Sequence, residues 1–229
     1  MINKHTVPVN LPVSYLRYGG VSAAGGLGAS GASGRPVLLM LHGFRETARD
    51  FVARAFDPPE GDFPFEIFAP NAPFPMPARL EGKYLEAYSW YFRDIDRKSV
   101  LIPPEVAAEA LLALMTDLDL VRRDVIIAGF SQGGFFAPYI ARLLPRVLGI
   151  IAVASGFRPD EYVGIAPCPI SALHGSNDKV ISVDLMLEGL QSLRDAGFTA
   201  GEVTIIDGMG HTMNPAARPA LGSLIGNLF

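Results

Sequence analysis

The chain has 229 residues, 49% of them hydrophobic, with 23 acidic side chains against 19 Lys and Arg and a formal net charge of −4. That length fits one large domain with a sizeable core, so residues 1–229 are expected to form a single domain. The acidic balance, with no basic cluster beyond pairs such as Arg122-Arg123, argues against a nucleic-acid or anionic-membrane surface, and the one cysteine, Cys168, excludes an internal disulfide.

From the N-terminus, Met1 to Tyr15 holds Asn3, Lys4 and His5 but no continuous apolar stretch or small-residue cleavage site, so no secretion signal is read there. No run of 18 apolar residues occurs anywhere, and a cytoplasmic protein without stable membrane insertion is expected. An edge strand is predicted over Val13 to Tyr18. The tract Gly19 to Gly34 contains Gly26-Leu27-Gly28-Ala29-Ser30-Gly31, a literal dinucleotide fingerprint. A phosphate-binding turn follows a buried strand and opens a helix, whereas this tract precedes Arg35-Pro36 and another strand, so it reads as a connection.

Beyond it, apolar runs of strand length alternate with helix-period stretches, the pattern of parallel strands joined by helical crossovers. Strands are predicted over Val37 to Leu41, Phe65 to Ala69, Val125 to Gly129, Gly149 to Ala154, Ile170 to His174 and Val203 to Ile206. Helices are predicted over Thr47 to Phe56, Pro104 to Leu120, Gln132 to Leu144, Ser182 to Ala196 and Pro215 to Leu228. Pro138 should kink or shorten the third of these. In the fourth, Ser182 is a plausible N-cap, Leu185, Leu190 and Leu193 form part of an apolar stripe, and Gly197 closes the helix. Cys168, between two prolines, reads as a small buried hydrophobe.

The most informative stretch is Gly129-Phe130-Ser131-Gln132-Gly133, because a strand runs into it and a helix leaves it. A Gly-x-Ser-x-Gly at such a corner strains the Ser backbone and presents its hydroxyl at the C-terminal edge of the sheet. Serine attacks only with a neutral imidazole beside it, oriented by a carboxylate, and the chain order expected here is Ser, acid, His. His211 lies in a Gly-bracketed loop after the last strand, and Asp178 lies in the loop leaving the strand before it. Two rival assignments remain open: Asp160 with His174, and Asp207 as the acid for His211. His174 ends its strand, where a packed structural role is commoner, and Asp184 falls inside a helix. Two backbone donors are needed for the oxyanion; Gln132 N–H supplies one and Phe44 N–H, in Leu41-His42-Gly43-Phe44, is the candidate for the other.

These residues together resemble the phospholipase/carboxylesterase group of the α/β-hydrolases, which includes acyl-protein thioesterases. The matching elements are Leu41-His42-Gly43, Ala69-Pro70-Asn71-Ala72-Pro73, Gly129-Phe130-Ser131-Gln132-Gly133-Gly134, His174-Gly175 with Asp178 and Val180, and Gly210-His211. The resemblance implies an α/β-hydrolase fold, a mostly parallel central sheet covered by helices on both faces. It implies Ser131 as nucleophile, Asp178 as acid, His211 as base, and oxyanion donation by Phe44 and Gln132. One departure stands out: Arg45-Glu46 occupy the place where the group usually shows Gly-Asp.

The same resemblance assigns the acyl-binding side to the Pro- and aromatic-rich segment 70–103, with Trp90 at the group's aromatic position. An apolar groove lined by Phe74, Met76, Trp90 and Met209 is therefore expected, with Phe135 and Met213 as further walls; simple packing of those aromatics is the alternative. The four histidines show no His-x-x-x-His pairing, so neither metal nor cofactor is expected. The expected activity is a serine hydrolase cleaving carboxylic esters or thioesters of small molecules through an acyl-enzyme. A serine peptidase or acyltransferase, or a non-catalytic binding protein on the same scaffold, are the alternatives. The exposed aromatics of the 70–103 segment leave a homodimer open.

Overall fold

Runs that are apolar at every position become strands covered on both faces. The computed structural model describes residues 12–19, 34–56, 63–94 and 99–229. The fingerprint-like stretch Gly26 to Gly31 and the segment 1–11 read for a secretion signal lie outside these residues. The elements are β1 (Tyr15–Tyr18), β2 (Val37–Leu41), α1 (Ala48–Ala55), β3 (Glu66–Pro70), β4 (Phe74–Pro75), β5 (Ala78–Leu80), β6 (Lys83–Leu85), β7 (Tyr88–Ser89), β8 (Phe92–Asp94), β9 (Ser99–Ile102), α2 (Pro104–Asp117), β10 (Val125–Phe130), α3 (Gln132–Ala141), β11 (Val147–Val153), β12 (Ile170–Gly175), α4 (Val183–Asp195), β13 (Ala200–Ile206) and α5 (Arg218–Gly226).

Seven strands form one sheet in the order β1-β3-β2-β10-β11-β12-β13, parallel except for β1, which pairs antiparallel to β3 at the edge. Successive residues of a strand point to opposite faces. Val37, Leu39 and Leu41 therefore enter one core with α2, α3 and α4, while Leu38 and Met40 enter the other with α1 and α5. This is the two-sided α/β arrangement expected above.

Some details differ from the sequence reading and others agree with it. Helix α3 stops at Ala141, three residues before its predicted end, with Pro138 in its last turn. Ser182 caps α4 by accepting from Leu185 N–H, and Gly197 follows the helix at φ 93°. Leu185 does not join the stripe. It is exposed, and Met186, Gly189, Leu190 and Leu193 form the buried face instead, because the helix is rotated so that Gly189 lets Phe157 approach closely.

The segment after β3 is not an irregular connection. β4 pairs with β7 and β5 with β6, so residues 74–89 form one long hairpin turning at Glu81 (φ 47°) and Gly82 (φ 79°), the paired positive φ values that two-residue hairpin turns need. The hairpin base joins the loop after β2 through the Glu46–Tyr88 bridge.

At the start of β3, the buried Glu66 carboxylate receives Arg17 and, at 2.6 Å, Arg123, tying β1 and the β10 approach to β3. Burial pushes this carboxyl up, but the two guanidinium groups outweigh it and hold it below the usual carboxylate range. Its stabilising contribution is therefore complete above the unfolded-state value and lost as acid titrates the lowered folded value. Glu66→Gln is expected to cost about 2 kcal/mol, less than the ~3–5 of a fully buried pair because Arg17 is partly exposed. Thermal melts of both proteins should show that deficit near neutral pH and a shrinking one in acid.

Candidate active site

Strand β10 ends at Phe130 and α3 begins at Gln132, leaving Ser131 as the single corner residue at φ 48°, ψ −113°. Such a conformation costs an L-residue about 1–3 kcal/mol and persists only where the surroundings enforce it. Here Ser131 N–H donates to Val153 O at 2.9 Å, while the Ser131 carbonyl accepts from Ser155 Oγ at 2.9 Å and from Gly134 N–H at 3.0 Å. The flanking glycines are sterically required. A Cβ on Gly133 would stand 2.1 Å from Leu41 O, and one on Gly129 would stand 2.5 Å from Gly133.

Loops after β12 and β13 bring the other two predicted side chains to this corner. His211 Nε2 lies 2.9 Å from Ser131 Oγ, and His211 Nδ1 lies 2.8 Å from Asp178 Oδ2. A carboxylate can only accept, so Nδ1 carries the imidazole proton and Nε2 is left as the acceptor facing the serine hydroxyl. Asp178 Oδ1 accepts Val180 N–H at 2.8 Å and Ile181 N–H at 3.0 Å. Burial raises the Asp178 carboxyl, but the hydrogen bonds from Ile181, His211 and Val180 outweigh it and hold it below the ordinary value. A Cβ added to Gly175 would stand 2.1 Å from Met209 O, so the two carrier loops run close together.

None of the rival residues is hydrogen-bonded to Ser131 or His211 among the described residues. Asp207 is bonded by Ser176 Oγ at 3.1 Å, and Asp160 sits exposed in the short 3-10 helix Pro159–Tyr162. His174 is fully buried; its Nε2–H donates to Ile181 O at 2.8 Å and stands 3.5 Å from Asp178 Oδ2.

Among the described residues the backbone N–H groups of Phe44 and Gln132 donate to no acceptor. The Phe44 loop is braced from three sides. His42 is buried, which pushes its imidazole down to about 4, so the ring is neutral; Nδ1–H donates to Gly43 O and Nε2 accepts Ala72 N–H at 2.9 Å. Trp90 Nε1–H donates to His42 O at 2.9 Å. Glu46 Oε2 accepts Gly43 N–H at 2.9 Å, and its carboxylate takes both Arg54 nitrogens at 2.7 Å. The Arg45-Glu46 departure is thereby explained: Arg45 adopts φ 58°, the conformation a glycine would take without cost, and Glu46 supplies a carboxylate that pins the loop.

The expected acyl groove is corrected at three residues. Trp90 is completely buried, stacked on Phe136 at 4.6 Å, and Met209 is buried in the core under the His211 loop, so neither faces a substrate. Met213 is buried likewise. Phe74 and Met76 remain half-buried, on the hairpin. A second role passed unnoticed in the sequence: the Gln132 side chain accepts Trp90 N–H at 3.0 Å and donates to Tyr91 O at 3.0 Å, fastening segment 89–91 to the elbow. The adjacent Ser-Gln pair was its only visible signal. Ser155 and Glu46 gave none.

Among the described residues no group of three or more His, Cys, Asp or Glu is placed to hold a metal, and no helix is long and apolar enough to cross a membrane. A probable carboxylesterase of Oryza sativa subsp. japonica is 27% identical over 225 residues, covering 88% of this chain and 80% of that protein. A second protein from the same plant, named a probable inactive carboxylesterase, is 27% identical over 194 residues, covering 77% and 78%. Esterase PE8, whose crystal structure is known, superposes with a TM-score of 0.65 at 27% identity, over 85% of this chain and 93% of that one. The phospholipase/carboxylesterase family pattern itself matches residues 29–217. With that pattern running from before β2 to the start of α5 on an α/β-hydrolase sheet, the protein belongs to the phospholipase/carboxylesterase family.

Proposed function

We propose that this chain is a single-domain serine hydrolase that cleaves carboxylic esters or thioesters of small molecules through an acyl-enzyme, without a cofactor. One observation carries the reading: the hydrogen-bonded chain Ser131, His211, Asp178 sits at a strained corner of the sheet. Ser131 Oγ attacks the carbonyl carbon while its proton passes to His211 Nε2. The oxyanion is held by Phe44 and Gln132 N–H, and the imidazolium is stabilised by Asp178. His211 then protonates the leaving alcohol or thiol, and water repeats the sequence to release the acid. Family membership supports hydrolysis of this kind, and the continuous sheet with one core on each face supports the single domain.

The relative named as inactive gives weight to one other reading, a binding protein that retains the scaffold. A serine-directed fluorophosphonate separates them. Labelling that disappears in Ser131→Ala, together with turnover in a panel of chromogenic esters and thioesters, is the expected result; an unlabelled native protein with no turnover establishes the binding protein instead.

The bracing of the Phe44 loop yields its own test. Glu46→Ala removes the acceptor for Gly43 N–H and frees Arg54, so the loop loses its fixed position. Complete loss of an oxyanion donor costs about 10²–10³ in kcat, and a displaced one is expected to cost about tenfold or more, with KM little changed. Steady-state kinetics on any ester the native protein turns over would show it.

A further inference from the structure

Beside the serine corner lies a charged assembly that the reaction above does not use. Arg158 follows β11, three residues after the Ser155 that holds the Ser131 carbonyl. Its guanidinium lies 4.4 Å above the ring of Phe135. Phe135 is one turn into α3 from Ser131, with its N–H on the Ser131 carbonyl at 3.2 Å. The same ring packs against Gly156, where an added Cβ would stand 3.2 Å from it, and that position also faces Ile181, whose N–H binds Asp178. Phe135 therefore floors the region between the elbow and the acid loop, and Arg158 stands on that floor.

The guanidinium is held rather than free. Arg158 Nη1 donates to Glu161 Oε1 at 3.2 Å, and the Tyr91 phenol lies against it. Arg93, from β8, donates to the same carboxylate oxygen at 2.5 Å. Two cations thus converge on one carboxylate oxygen, and that carboxylate is largely buried while the Arg158 side chain stays 39% exposed. Asp160 precedes Glu161 in the chain but is exposed to solvent. A planar group stacked on a ring and fixed along one edge keeps its remaining N–H donors pre-aimed at the open side, the geometry that recognises carboxylates. It is a poor wall for a methyl-terminated acyl chain, since burying it there would strip the cation of water.

We propose that Arg158, seated on Phe135 and braced by Glu161, is a specificity-determining residue that binds a carboxylate carried by the substrate ester. The inference rests on the serine-hydrolase reading given above. Glu161 is the positioning residue and Arg158 the one that meets the substrate. The protein selects half-esters and similar acidic esters over their neutral counterparts of equal length.

Two matched pairs test this with the full chain. The first compares the 4-nitrophenyl monoester of adipic acid with 4-nitrophenyl hexanoate, putting the charge on the acyl side. The second compares 4-carboxyphenyl hexanoate with phenyl hexanoate, putting it on the alcohol side. In at least one pair the native protein should favour the acidic ester, and Arg158→Gln should lower that preference about tenfold, mainly through KM. Arg158→Lys should retain part of it, and added salt should compress it. The pair that responds locates the carboxylate. A native protein that disfavours both acidic esters overturns the proposal without any variant, as does a preference unmoved in Arg158→Gln while neutral esters are still cleaved. No cleavage of any of the four esters overturns this inference, and the absence of fluorophosphonate labelling in addition overturns the hydrolase reading as well.

Discussion

Ser131→Ala is expected to lower kcat by about 10⁶-fold while leaving the fold intact, the loss seen when the nucleophile of a serine triad is removed. The hydroxyl is the only side-chain atom group lost, and among the described residues it makes one hydrogen bond, to His211 Nε2 at 2.9 Å. The corner itself is enforced by backbone contacts to Val153, Ser155 and Gly134, none of which touches the hydroxyl. Alanine at φ 48° bears the same strain as serine, so the melting temperature should stay near that of the native protein. Ser131→Gly separates strain from chemistry. It should be equally inactive yet about 1 kcal/mol more stable, because glycine adopts this backbone without cost. Combining Ser131→Ala with His211→Ala should cost little beyond either alone, since the residues act as one unit. Activity within tenfold of native in Ser131→Ala would show that hydrolysis occurs elsewhere in the molecule.

How far the site can be read without coordinates depends on whether a residue's place is set by local chain geometry or by distant packing. Ser131 is legible because glycines flank it: Gly129 allows the close local crossing of β10 and α3, and Gly133 allows α3 to pass against the end of β2. Asp178 and His211 are legible because parallel strands deliver the loops that follow them to one edge. Trp90 and Met209 are misjudged as groove walls for the opposite reason. An aromatic in a long connection can face solvent or core, and only tertiary packing against Phe136 and His42 sends Trp90 inward. Leu185 is assigned to the wrong face because its neighbour Met186 is equally apolar, and the choice falls to the Gly189 contact with Phe157. The hairpin over residues 74–89 is missed although Glu81-Gly82 is a usable turn signal, because Pro75 and Pro77 disguise its short strands. Glu46 and Arg158 are each held in part by a partner 8 or 23 residues away, Arg54 and Phe135, and such pairings leave no local mark.

Asp178→Asn is expected to lower kcat by about 10⁴-fold, through the imidazole tautomer rather than through misfolding. The two oxygens of Asp178 do different work. Oδ1 accepts the backbone N–H groups of Val180 and Ile181, and Oδ2 accepts His211 Nδ1–H. An asparagine must place its NH2 on one side. Against Val180 and Ile181 it would oppose two donors that cannot change, so the NH2 turns to His211, where the ring can answer by moving its proton to Nε2. That proton then faces Ser131 Oγ, and the hydroxyl has no base. The same substitution alters acid stability in a defined direction. Because the Asp178 carboxyl is held below its ordinary value in the folded protein, its contribution is complete above the unfolded value and fades as pH falls through the lowered one. Native and Asp178→Asn melting temperatures should therefore differ most near neutral pH and converge in acid, whereas the difference in kcat persists wherever the native protein is active. Convergence of the rates, or a kcat within tenfold of native at neutral pH, would mean that another group orients His211.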